Sequence, residues 1–257
     1  MRAEVLNILL IARRDLARFW RYKYWLAGQV AMNLADILIF GLIFNGVVNR
    51  QLIPDYVRFV TPGILCLSLF ISSFSIGREV GVELRREVTH YLLTLPVRRE
   101  SLIIGRLLGG ALRGLMYQAG FLLFATIILT VPTPRGWAYI LPTSFLVALT
   151  MSSISISLST VTRDFNLQAT IRSLTYYMLF FVSNIFYPQA VIALRLGPLA
   201  PIVNYSPLTM ATNIYRWAFQ YDVSIDPLYN FIGLTLWSAI IAILAYRLYI
   251  RNLLRDR

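Results

Sequence analysis

Apolar runs of bilayer length recur along this chain, and most of its charges fall between them. A helix rises about 1.5 Å per residue, so about 20 apolar residues cross the roughly 30 Å hydrocarbon layer. Hydrophobic residues make up 58% of the sequence, and the mean hydropathy is +0.64. That is more apolar than a soluble domain of this length. The chain reads as an all-α polytopic membrane protein with six transmembrane helices.

The six spans are read at 24–48, 59–76, 107–131, 137–162, 170–187 and 228–249. Residues 1–23 read as an amphipathic interfacial helix. Val5, Leu9, Ala12, Leu16 and Trp20 recur at helical spacing, and Arg14, Arg18 and Arg21 fall on the other side. Residues 188–227 hold no full span: Gly197-Pro198 and Pro201 break a short apolar run, which favours a re-entrant outer hairpin. Small residues suit close helix contact at Ser68, Ser72, Ser73 and Ser75, at Ser152 to Ser159, and at Gly105, Gly109, Gly110 and Gly114. Arg113, just inside the third span, is expected to snorkel to the interface. Arg163, Asp164 and Arg172 mark a short inner loop.

A net charge of +12 and a pI near 10.2 would point to nucleic acid in a soluble protein. Here the arginines sit at the ends of apolar spans, so orientation is the better account, and no nucleic-acid partner is expected. With both termini, the 77–106 stretch and the Arg163–Arg172 loop on one side, all but five of the 24 basic residues share that side. The positive-inside bias then makes both termini cytoplasmic in a cell membrane. No cleavable signal peptide is read at the basic, amphipathic start.

The stretch from Gly77 to Gly110 is the longest charged run. Glu79, Glu83 and Glu87 share one helical face, with Arg85 and Arg86 on neighbouring faces. Pro96 stops the helix, and Arg98-Arg99-Glu100 opens the next. The run reads either as an intracellular helix–break–helix that a partner grips, or as a solvated loop of topogenic charge. Two polar stripes lie within spans. Gln29, Asn33 and Asp36 follow one face of the first, where an acid costs about 2.5–3.5 kcal/mol. Tyr176, Phe180 and Asn184 follow one face of the fifth. Each stripe either lines a path for a substrate or fills an interior.

Little here does covalent chemistry. His90 is the only histidine and Cys66 the only cysteine, so neither a histidine triad nor a cysteine cage for a metal is expected. No Gly-rich loop precedes Lys23, the lone lysine, so nucleotide hydrolysis is not expected on this chain. No paired halves mark an ion-coupled carrier. A membrane-embedded enzyme using Asp36, Asp222 or Asp226, and a scaffold without transport, stand as alternatives.

Two segments carry a resemblance. Leu92-Leu93-Thr94-Leu95-Pro96-Val97-Arg98-Arg99-Glu100, followed by Gly105-Arg106-Leu107-Leu108-Gly109, is similar to a signature of ABC-2 type exporter permeases. Phe186-Tyr187-Pro188, then Asn204-Tyr205-Ser206-Pro207-Leu208-Thr209 and Arg216, resembles the family's region before the last span. Arg106 stands where lysine is common, and Asn213 where an acid is frequent. The resemblance implies a permease, not itself an enzyme, paired with a second copy or a sister permease. It implies a separate ATP-binding subunit that carries ATP and Mg, with no cofactor on this chain. A coupling helix near Val88 to Arg99 would dock on that subunit. Glu83, Arg85, Arg86, Glu87, Arg98 and Arg99 would make its polar contacts, and Tyr91, Leu92 and Leu95 its apolar anchors. The first and fifth spans would line the path, through Gln29, Asn33, Asp36, Tyr176, Phe180 and Asn184. Drugs, lipids or lipid-linked glycans would be the cargo.

Overall fold

The computed structural model describes residues 2–254 apart from 22, 23, 25, 26, 29, 33, 36, 37, 40–42, 44, 45, 47–52, 87, 95, 96 and 163. Among the described residues every regular element is helical. The chain opens with α1 (Arg2–Arg21), and the described positions between Tyr24 and Gly46 are also helical. There follow α2 (Tyr56–Phe74), α3 (Ile76–Arg85), α4 (Val88–Thr94), α5 (Arg99–Ile128), α6 (Pro134–Ser159) and α7 (Phe165–Phe181). Three short helices come next: α8 (Gln189–Leu196), α9 (Ala200–Asn204) and α10 (Pro207–Ala218). The long α11 (Pro227–Leu254) closes the fold.

Local chemistry sets the helix starts. The Asp55 carboxylate accepts from the Arg58 amide at 3.1 Å and caps α2. Thr133 caps α6 through the Gly136 amide at 3.1 Å, with Pro134 at the first position. Asp164 caps α7 through the Leu167 amide at 2.8 Å, and Asp226 caps α11 through the Leu228 amide at 2.9 Å. The cap at Asp164 corrects the expected inner loop: Arg172 lies within α7, two turns past its start.

Among the described residues, Tyr56–Arg85, Arg99–Ile128, Pro134–Ser159 and Pro227–Asn252 are long and apolar enough to cross a membrane. The chain is thus a multi-pass membrane protein. These stretches are not equivalent. The most apolar window of the first is 89% buried inside the protein, that of the last only 22%. The α2–α3 stretch is therefore the hub, with α5, α6 and α10 around it, and α11 lies at the periphery.

Small residues let the hub close. A side chain at Gly110 would collide with Ser152, one at Gly77 with Ser155 and Ser159, and one at Gly114 with Ser73. The α6 serines then hydrogen-bond across the gap. Ser152 donates to the Leu107 carbonyl at 3.1 Å, Ser159 to that of Gly77 at 2.6 Å, and Ser155 to that of Phe74. In hydrocarbon such a hydroxyl finds no water, so a second bond to a helical carbonyl satisfies it.

Candidate functional site

Charged side chains converge at one end of this fold, where α1, α3 and the start of α5 meet. Glu83 is 4% exposed and Arg106 is 1% exposed, and the two are ion-paired. Glu83 also pairs with Arg18, and with Arg14 at 3.3 Å. One helical turn earlier, Glu79 receives both terminal nitrogens of Arg113, at 2.6 and 2.8 Å. Arg113 also donates to the Asp15 carbonyl at 2.5 Å and stacks on the Phe19 ring at 5.2 Å. The Asp15 carboxylate is 1% exposed and takes Arg14 at 2.9 Å. Four arginines thus share three carboxylates across three helices. The Arg18 guanidinium loses hydration on burial, but the hydrogen bond and charge of Glu83 outweigh this and hold it above its usual range.

Arg113 does not snorkel. It has no exposure, because Glu79 and the α1 backbone meet it inside the protein. The stripe of α1 also resolves into two faces. Val5, Leu9 and Trp20 are more than half exposed, whereas Ala12, Asp15 and Phe19 are buried against α5. Gly105 and Gly109 make room for this docking. A Cβ at Gly105 would stand 2.8 Å from the Ile11 Cβ, and one at Gly109 would stand 3.0 Å from the Asp15 Cβ.

Beyond this layer the chain turns. α4 ends at Thr94 and α5 starts at Arg99. Tyr91 is 66% exposed and Leu92 half-buried, while Arg86 is exposed and Arg99 half-buried. Arg98 pairs with Glu4 of α1. Arg85 donates to the Gln168 side chain at 2.7 Å and lies over the Phe165 ring at 4.8 Å. Of the residues expected to meet the ATPase, Glu83, Arg85 and Arg98 are therefore engaged within the chain, and Glu87 and Leu95 lie outside the described residues.

The far end is built differently. α7 stops at Phe181, and residues 182–188 run without helix to α8. Arg216, 3% exposed on α10, donates to the carbonyls of Asn184 at 2.8 Å, Ile185 at 3.1 Å and Phe59 at 3.2 Å. Its guanidinium also sits 3.7 Å from the Phe59 ring centroid. Next to it, Asn184 donates to Asn213 at 2.7 Å and Asn213 to Asn230 at 3.3 Å. Asn184, selected as a path residue, is thus buried in a carboxamide ladder. Tyr176 stacks on Phe70 at 4.8 Å, and Phe180 meets Phe186 at 5.3 Å. Gln29, Asn33 and Asp36 lie outside the described residues.

Sequence reasoning missed two groups. Asp15 was one. The other is a knot at mid-bundle, where Gln118 donates to the Tyr215 hydroxyl at 2.9 Å and Ser144 meets the same oxygen at 2.8 Å. A glutamine inside an apolar run was the available signal. Residues 7–219 match the family described as ABC-2 type transporter. No curated protein matches the chain.

Proposed function

The chain belongs to the ABC-2 type transporter family, and from that premise we propose that it is the permease of an ATP-driven exporter. In this reading a separate ATP-binding subunit hydrolyses ATP with Mg, and the permease pairs with a second copy or a sister permease. The proposal includes six spans in the plasma membrane, with α7 as the fifth and both termini in the cytoplasm. The short helices α8–α10 form the outer hairpin. Cargo is a hydrophobic drug, a lipid or a lipid-linked glycan, moved outward. The exposed aromatic rings of Tyr177 (56%) and Phe181 (62%) on α7 suit such a molecule.

One observation carries the coupling. α4 is a short exposed stub next to α3, and α3 is tied to both α1 and α5 by buried ion pairs. Force applied to α4 therefore reaches three helices as one body. Ion pairs between buried groups resist sliding, because separating them leaves charges without partners. The ATPase-facing surface then consists of Arg86, Glu87, Tyr91, Leu92, Leu95, Arg98 and Arg99, with Glu83 and Arg85 acting as internal braces.

The experiment is capture of the tagged chain in mild detergent from its native membrane. We expect an ATPase with a Walker A motif to come with it, and Tyr91→Asp or Arg99→Glu to release that ATPase while the chain stays folded. A chain captured without any nucleotide-binding partner, or an ATPase retained by both variants, overturns the coupling role of α4.

A further inference from the structure

We propose that the cleft where α3 faces α1 and α7 binds the phosphate headgroup of an acidic membrane phospholipid. The two sides of α3 differ. Towards α1 it presents Glu79 and Glu83, both taken up by arginines. Towards α7 it presents Gly81, whose missing side chain admits Gln168, and Arg85, which donates to Gln168 at 2.7 Å. Arg172 follows Gln168 by one turn on α7 and so faces α3 as well. Its Nε is buried without a hydrogen-bond partner among the described residues. Its charged neighbours, Arg78 and Arg85, have its own sign.

Arg78 also lines an open cavity of about 570 Å³, together with Arg18, Ser75, Val82, Arg86 and the two carboxylates Glu79 and Glu83, which Arg113, Arg18 and Arg106 already hold. Among the described residues no carboxylate pairs with Arg78, Arg86 or Arg172. Guanidinium groups that outnumber the carboxylates beside them repel one another, and a buried nitrogen without an acceptor is unfavourable. A phosphodiester relieves both. It brings a full negative charge and two free oxygens, which arginine binds in parallel.

Depth selects a lipid as the source of that phosphate. The stretch from Tyr56 to Arg85 is one 30-residue run. About 20 residues of helix cover the hydrocarbon layer, which puts Ser75 and Arg78 where acyl chains end and headgroups begin. Basic clefts between helices at this depth suit acidic headgroups.

The test uses the full-length chain in detergent. Phosphatidylglycerol, phosphatidylcholine or inorganic phosphate is titrated, with retained lipid read by native mass spectrometry and stability by the thermal midpoint. We expect phosphatidylglycerol to remain bound and to raise the midpoint, and phosphatidylcholine to do neither. Combining Arg78→Gln with Arg172→Gln lowers phosphatidylglycerol affinity by about 30-fold, whereas Arg78→Lys alone retains most of it. If the double variant does not fold, Arg86→Gln at an exposed position supplies the comparison, with a loss of about fivefold. Equal retention of both lipids, or unchanged affinity in the glutamine variants, overturns the site. A midpoint raised as much by inorganic phosphate assigns a small anion instead and overturns the lipid source. No ATPase enters either readout, so this result is independent of the coupling role of α4.

Discussion

Arg106 and Arg216 are both nearly without exposure, at 1% and 3%, yet they are neutralised in different ways. Arg106 lies among intact helices at the α1 end and is held by the Glu83 carboxylate. Arg216 lies at the opposite end and is held by three backbone carbonyls and an aromatic ring, with no carboxylate among the described residues bonded to it. The difference follows from what each neighbourhood offers. An intact helix has already engaged its carbonyls, apart from weak second acceptance as at Asp15, so a cation there needs an acid. A broken helix leaves carbonyls open, and a guanidinium with five donors collects several at once. The first arrangement ties separate helices to one another. The second ties α10 and the first turn of α2 to one irregular segment, residues 182–188.

The comparison breaks first at Glu83. Glu83→Gln removes the carboxylate shared by Arg14, Arg18 and Arg106 and leaves a buried cation unpaired. We expect a loss of about 3–5 kcal/mol, read as a lowered unfolding midpoint in detergent. A loss near that of an exposed ion pair, below about 1 kcal/mol, would falsify the claim that this network ties the helices together.

Arg216→Met comes next. It strands the carbonyls of Phe59, Asn184 and Ile185, and a loss of about 2–3 kcal/mol is expected. Its signature is local. Hydrogen exchange should rise at residues 182–188, while α1 and α3 keep their protection. A uniform rise over both ends would show that the two sites act as one unit.

Gly105→Ala probes the α1 end without touching charge. The new Cβ meets Ile11 at 2.8 Å and the Ile8 carbonyl at 2.9 Å, so about 1–3 kcal/mol should be lost as α1 is pushed from α5. Limited proteolysis of α1 reads this directly, and unaltered cleavage would mean that the docking is looser than its geometry. Gly28→Ala, with nothing among the described residues within 4 Å of the new atom, is the control without effect.

The smallest effect belongs to a cap. Asp226→Ala frees the Leu228 and Tyr229 amides at the start of α11, for about 1 kcal/mol. Fraying should stay within the first turn of α11 and leave both arginine sites unchanged by exchange. Spread of that fraying to Asn213 would show that the carboxamide ladder ends on the Asp226 turn, where Asn230 donates to the Asp226 carbonyl at 2.8 Å.

The sequence by itself determined a helical membrane protein and the interruption ahead of Arg99. These depend on apolar length and on a ring that cannot donate, both local to the chain. It also marked Gly105 and Gly109 as a contact face, though not that the contact is α1. Only the tertiary structure decided the partners of the buried charges. Glu83 meets Arg14 and Arg18 across separations of 69 and 65 residues, and Arg106 across 23. Helical periodicity says which residues share a face, but not which face another helix will meet. That is why Arg113 read as a snorkelling residue and Glu83 as a surface contact. Close packing of separate helices turned both inward, where each could persist only because the other's helix supplied the opposite charge.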